Sequence, residues 1–536
     1  MARFLTVLIF VAVASSANAA VDIWVHPWLA PMEKAAVRPS AVPEIIALAV
    51  TPGEYEPGAF AVRSDRNATL AVWLVPGRGP GGIPPDWCEL HVVESLADST
   101  EPNRLYAFSL PVDVVKDQTR YFWLTVRPPA GTPAGTYRAS VRVSADGFEQ
   151  SVKIACTVLP FELRPAKVAS GAFMAGTNLP ESYYRDMKEH GLDAIQFFWG
   201  GTGVEISNVD GEIVLDFSRT ERFMRRVAAA GLKGPVTFSL GNDHSLHYER
   251  RIAEAFGFEV ITEEKVGNKA VIGPRVTPEL DSLFVEGLRQ IRDWWEEMAW
   301  PQELVILIYD EPTERLLARC KQRYDLLKSV MPGTRVYGVV MNRRTWAESM
   351  VDQCDIVVSN GDFLGCLEVT QNYDLGYWVY SFPLRAVHVS RHDMGFLPWR
   401  VRAEGAFFWM YNYWNYDPDN CAVYRDPVNP GLPVRSTPWE AIREGHDDLR
   451  YAATAEWLIG RAPTGLKQKA QRRLEEIRMS VVPNRRRRAP RGEFHDEMSV
   501  LAHYSEPQRV REELIHLIME LLGEGYPGDK EKNWEL

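Results

Sequence analysis

Asp310 and Glu311 stand side by side at the end of the stretch "LVILIYDEPTER" (304–315). Neighbouring carboxylates repel, so a structural position can dispense with one of them, whereas acid–base catalysis uses an environment that keeps one protonated and the other ionised. The same residues would also suit a helix start, because "EPTER" can set acids against a helix dipole. The preceding six residues are apolar or aromatic, rich in β-branched side chains and without polar alternation. They read as a strand covered on both faces, with the acids at its C-terminal end. Pro312 cannot extend a central strand and keeps Glu311 out of the helical region, so an extended Glu311 is expected.

The elements that would hold this pair fall into zones. Residues 1–20 have one arginine, an apolar run from Phe4 to Ala14 and a small polar end at Ala17-Asn18-Ala19, the pattern of a secretory leader removed on export. That run is too short to span a bilayer, and no other long uncharged apolar run follows, so export without a membrane span is expected. From 21 to 165 short alternating runs are separated by Pro and Gly, and two of them bracket Asp146-Gly147 as a hairpin. A β-sandwich is the expected fold there. From 166 to 425 the rhythm changes to eight short apolar runs alternating with helical stretches: 171–176, 193–200, 235–241, 304–310, 335–341, 355–360, 377–382 and 405–412. That alternation predicts a (β/α)8 barrel. From 426 to 536 the periodicity is mainly helical.

In such a barrel the strand C-termini line the active site. Asp310 and Glu311 then sit at the mouth, in company with Asn178, Trp199, Asn242, Asp243, His244, Asn342, Asn360, Asp362, Tyr380, Trp409, Tyr411, Asn412 and Trp414. Aromatic faces, amides and carboxylates in one place suit a sugar, whose ring stacks and whose hydroxyls need dense hydrogen bonding. Taken singly, each has a plainer account: aromatic rings cover barrel ends, and asparagines close turns or cap helices.

A net charge of −11 argues against nucleic acid as a partner, since phosphate binding needs a basic footprint. Arg485 to Arg488 form the one strong basic run, without the interleaved aromatics that would stack bases. The six cysteines form no CxxC pair and no zinc-spaced group with histidine, so neither a metal site nor a cofactor is expected.

The stretches "YDEP", "GAFFWMYNYWN" and "STPWEAIREGHDDLRY" resemble glycoside hydrolase family 123 and the related domain of unknown function 4091. The resemblance implies a β-sandwich followed by a (β/α)8 barrel, and an exo-acting β-N-acetylgalactosaminidase that works by substrate assistance. It implies Glu311 as general acid and then base, with a raised pKa, and Asp310 as the ionised group that orients and polarises the 2-acetamido group. Trp199, Asn242, His244, Asn342, Tyr380, Trp409, Tyr411, Asn412 and Trp414 remain substrate-binding candidates from their strand-end positions alone. Two other readings stay open: a glycosidase for a non-acetamido sugar that recruits a distant carboxylate such as Asp243 or Asp362, and a non-catalytic glycan-binding protein.

Overall fold

The computed structural model describes residues 21–524 apart from 80, 96–102, 108–110, 146, 177, 243–244, 263–271, 341–343, 382–383, 385, 416–420, 484–485, 489–493 and 497–504. The expected leader, Asp243, His244 and Asn342 lie outside the described residues.

Alternating runs in the first zone form two packed sheets. Gly135–Ala145 and Phe148–Val158 pair as the expected hairpin, with Ala145 opposite Phe148 and Gly147 at φ +74° in the turn. They belong to a five-stranded sheet with Ile45–Val50, Ala68–Val75 and Val112–Val114. A seven-stranded sheet runs in the order Val21–His26, Glu56–Ser64, Thr119–Val126, Cys88–Glu94, Arg104–Tyr106, Pro433–Ser436 and Val423–Arg425. Phe60 stacks on Phe122 at 4.8 Å in the core, beside buried Val62, Leu124, Val141 and Ile154. The last two strands of the larger sheet come from beyond the barrel. They return to the sandwich by pairing Arg435 with Leu105 and Ser436 with Arg104. A boundary at 426 therefore cuts through a hairpin that completes the N-terminal sheet.

The second zone closes as eight parallel strands in chain order: Ala169–Phe173, Ala194–Phe198, Val236–Ser239, Leu304–Leu307, Arg335–Val340, Ile356–Ser359, Gly376–Ser381 and Gly405–Phe408. Strand alternation sends Phe173, Leu307, Tyr337, Val358, Trp378 and Phe407 inward, while Ile195, Phe238 and Ile306 pack outward on the helices. Glycines make room for the inner rings: a Cβ at Gly171 would lie 2.4 Å from Phe407, and one at Gly405 2.8 Å from Trp378. Thr437–Arg461 closes the barrel wall, and Thr464–Ser480 and Glu506–Leu522 pack on it as the helical C-terminal zone.

Charge fastens these parts together. Arg511 of Glu506–Leu522 is buried among four carboxylates, bonding Asp448 at 2.5 Å, Glu444 at 2.7 Å and Glu56 at 2.9 Å, with Glu54 at 3.6 Å. Arg391 holds Asp448 from the other side at 2.8 Å. Burial first, and then the neighbouring acids, push Glu54 up to about 7 and raise Glu56 and Glu444 as well. A carboxyl raised by folding stabilises the folded chain below its ordinary value of 4.5, and that contribution is lost as pH climbs through about 7. Glu440 works in the opposite direction: despite burial, Arg443, His190 and Arg435 hold it below its ordinary value, so its contribution is lost in acid. We predict a melting temperature that falls between about pH 5.5 and 8. A scan at constant ionic strength checks this, and a flat or rising profile over that window would contradict it.

Candidate active site

Regular pairing of the fourth barrel strand stops at Leu307, short of the acid pair. Val305 and Leu307 face inward and Leu304 and Ile306 outward, but Ile308 and Tyr309 both pack outward. Two successive outward residues break the two-residue period, and the break hands Asp310 to the inner side. Tyr309 is anchored there by its hydroxyl, which donates to buried Glu249. Arg319 and Arg323 also grip Glu249, the latter at 3.1 Å through each oxygen, and hold its carboxyl below the usual range although burial alone would raise it. Asp310 rejoins the sheet by donating its N–H to the Gly241 carbonyl at 3.0 Å and bridging Asn242. Its charge adds to burial, the larger cause, in keeping the inward-facing Tyr337 phenol protonated.

Glu311 corrects the sequence expectation. It is left-handed, at φ +46°, rather than extended. Pro312 bars the right-handed helical region without closing the left-handed one, which costs a non-glycine residue about 1–2 kcal/mol. Such strain persists where the surroundings over-determine it. One of those surroundings is Asn360, buried at the end of the sixth strand, whose Nδ2 donates to Glu311 Oε1 at 3.4 Å.

Aromatic rings gather on the opposite wall. Trp409 lies 5.4 Å from Phe173 and 5.7 Å from Tyr413, and Tyr380 meets Phe173 edge-on at 5.7 Å. Trp414 donates its Nε1 proton to the Val423 carbonyl at 2.7 Å and carries the Arg425 guanidinium over its ring at 4.4 Å. Tyr411 does not join them. Trp409 and Met410 both face inward, so the period slips here too, and Tyr411 turns outward. Its hydroxyl donates to Asp186 Oδ2 at 3.0 Å and lies 3.1 Å from Tyr183 O, which makes it packing between barrel and helix. Asn412 Oδ1 accepts from the Ala175 N–H at 3.0 Å, tying the ends of the first and eighth strands, and Asn242 Oδ1 closes a turn by accepting from Ser245 N at 2.7 Å. Trp199 opens the short helix Trp199–Thr202 after the second strand. Asp362 begins a helix at the end of the sixth strand, where its carboxylate accepts from Arg344 N at 3.0 Å.

Phe173, Tyr337 and Arg425 escaped the strand-end reading. The first two lie within strands, and Arg425 comes from the returning hairpin. The signal was present for Phe173, one of the inward positions of an alternating strand, but not for Arg425.

Residues 203–454 match the family described as "Glycoside hydrolase 123, catalytic domain". The chain is a family 123-like protein. As such it is a glycoside hydrolase. The family 123-like chain shares its fold with a family 123 glycoside hydrolase from Clostridium perfringens, studied for glycolipid glycan hydrolysis: 11% identity, 94% of this chain and 99% of that one, TM-score 0.72. It is also similar, over 53% of its length and 77% of the other chain, to an endo-beta-1,4-mannanase from Thermotoga petrophila, at 11% identity and a TM-score of 0.37. No curated protein matches it. Among the described residues of this family 123-like protein, no group of three or more His, Cys, Asp or Glu is arranged to hold a metal ion, all six cysteines are free thiols, and no helix is long and apolar enough to cross a membrane.

Proposed function

We propose that the protein is an exported, retaining glycosidase that removes a terminal β-linked N-acetylhexosamine, in the first instance N-acetylgalactosamine, by substrate assistance. The observation that carries this reading is the adjacency of Asp310 and Glu311 at one strand end. Glycosidases that bracket the sugar between two acids separate them by roughly 5–10 Å. Neighbouring acids are compatible with a sugar that supplies its own nucleophile. Glu311 donates its proton to the glycosidic oxygen as that bond breaks. The acetamido carbonyl oxygen bonds to the anomeric carbon, giving an oxazolinium ion, while Asp310 accepts from the acetamido N–H and offsets the developing positive charge. Glu311, now a carboxylate, takes a proton from water as the water oxygen attacks the anomeric carbon and the ring opens. Trp409, Tyr380 and Tyr413 supply the ring-stacking wall. A glycolipid glycan, the substrate class named for the clostridial protein, can end in such a sugar.

Matched chromogenic β-glycosides test the reading: N-acetylgalactosaminide, N-acetylglucosaminide and plain galactoside. Turnover confined to the acetamido sugars is expected. Asp310→Asn should lower kcat on them by about 10²–10³-fold, the cost of removing one preorganised electrostatic partner. Equal turnover of the plain galactoside, with Asp310→Asn silent, would sink substrate assistance and send the search to a second carboxylate. Binding without turnover of any of the three would favour a glycan-binding protein.

A further inference from the structure

At the barrel end opposite the acid pair, a cavity of about 430 Å³ opens between sandwich and barrel. Its walls come from the turn before Glu56–Ser64, from the segment leading into Ala169–Phe173, from the end of helix Glu181–Glu189 and from the middle of Thr437–Arg461. Pockets of this size between domains are common ligand sites.

The lining carries cations with hydrogen-bond donors to spare. Arg443 is 2% exposed, and its Nε and Nη1 have no hydrogen-bond partner; only its third nitrogen is engaged, by Glu440. Its guanidinium lies over the Tyr55 ring at 4.2 Å, and that of Arg127 lies over the same ring at 4.4 Å. Lys188 and Arg127 line the cavity without an ion pair among the described residues. The acids in the wall have partners of their own, although Glu54 Oε1 takes no hydrogen bond. Asp447 pairs with Arg450 at 2.6 Å, Glu189 with Arg435 at 3.2 Å, Asp193 accepts from Ser170 N at 3.0 Å, and Glu54 accepts from Thr51 and Tyr451. A guanidinium buried with two idle nitrogens leaves its N–H groups desolvated, a cost that an incoming acceptor removes.

We propose that this cavity is a second binding site, for a tetrahedral oxyanion, a phosphoryl or sulfuryl group either free or carried on a sugar. Donors converge on it from separate elements, Arg443 from one helix, Lys188 from another and Arg127 from the sandwich, and a tetrahedral group offers oxygens in several directions where a planar carboxylate offers one plane. The site is independent of the glycosidase reading, because the test measures binding and not turnover.

The full chain is titrated calorimetrically, at constant ionic strength in chloride, with inorganic phosphate, with sulfate and with a hexose 6-phosphate. One saturable site is expected. Tighter binding of the hexose phosphate identifies a sugar-borne group, and equal or tighter binding of the free anions identifies these as the ligand. Arg443→Gln should weaken binding at least tenfold, as loss of a charge-assisted partner does. Because Arg443→Gln also strips Glu440 of a buried partner, Lys188→Gln and Arg127→Gln, which change exposed side chains, should each give a severalfold loss in an intact fold. No heat of saturable binding from any of the three probes overturns the proposal. So does a thermal stabilisation that rises linearly and identically in wild type and Lys188→Gln, the signature of salt excluded from the protein surface.

Discussion

Glu311→Gln is expected to lower turnover of an N-acetylhexosaminide with a poor leaving group by about 10³-fold or more, at the upper part of the range for general acid–base catalysis. The amide keeps the shape and can still meet Asn360, whose Nδ2 faces Oε1, but it has no acidic proton to give and no basic oxygen to take one. The loss should depend on the leaving group. An aryl alcohol that departs without protonation restores the first step, so the defect shrinks and is then set by the attack of water on the intermediate. Azide, which needs no base, should rescue that second step and yield a β-glycosyl azide. This pattern separates a reacting acid from a residue that merely supports the fold. Undiminished turnover of the poor substrate by Glu311→Gln would remove the basis of the mechanism.

Arg511→Met should be strongly destabilising, costing about 3–5 kcal/mol, the range for breaking a buried ion pair from one side. Glu56, Glu444 and Asp448 all bond this guanidinium at 2.9 Å or less, and only Asp448 keeps a second arginine, Arg391. A drop of roughly 3–5 °C in melting temperature is expected for a chain of this length. Arg511→Lys should recover little of it, since one ammonium cannot reproduce a planar fork that reaches carboxylates on different elements. Converting Glu56 and Glu444 to leucine alongside Arg511→Met should restore much of the loss, because apolar side chains remove the buried polar groups that the substitution leaves without a partner. A melting temperature within a degree or two of wild type for Arg511→Met alone would show that the acids carry protons there and need no partner.

The barrel was legible because its eight apolar runs are short and separated by helices with a 3.6-residue period, so each strand could be placed within a few residues. The acid pair was legible because it terminates one of those runs. What each residue of a run faces was not. A stretch such as "LVILIY" has no polar alternation, so nothing in it marks that Ile308 and Tyr309 would both turn outward; that depends on Glu249, far away in sequence, receiving the Tyr309 hydroxyl. The same blindness put Tyr411 among the sugar contacts, when its hydroxyl belongs to Asp186. Glu311 differs in kind: the rule for residues before proline excludes the right-handed region and leaves both the extended and the left-handed ones, and only the tertiary surroundings select between them. The strands Val423–Arg425 and Pro433–Ser436 were invisible because they are short and bracket a Pro- and Asn-rich turn, and their partner is the distant edge Arg104–Tyr106.

That returning hairpin constrains how the chain is made. The Arg104–Tyr106 edge leaves the ribosome roughly 300 residues ahead of the strand that covers it, a wait of about 15–60 s at ordinary synthesis rates of about 5–20 residues per second. During that interval the nascent sandwich presents an unpaired edge on which a strand from another chain can settle. The first domain to emerge is thus finished only after the eighth barrel strand has been made. Its completion certifies that all eight barrel strands have been synthesised between the two halves of one sheet.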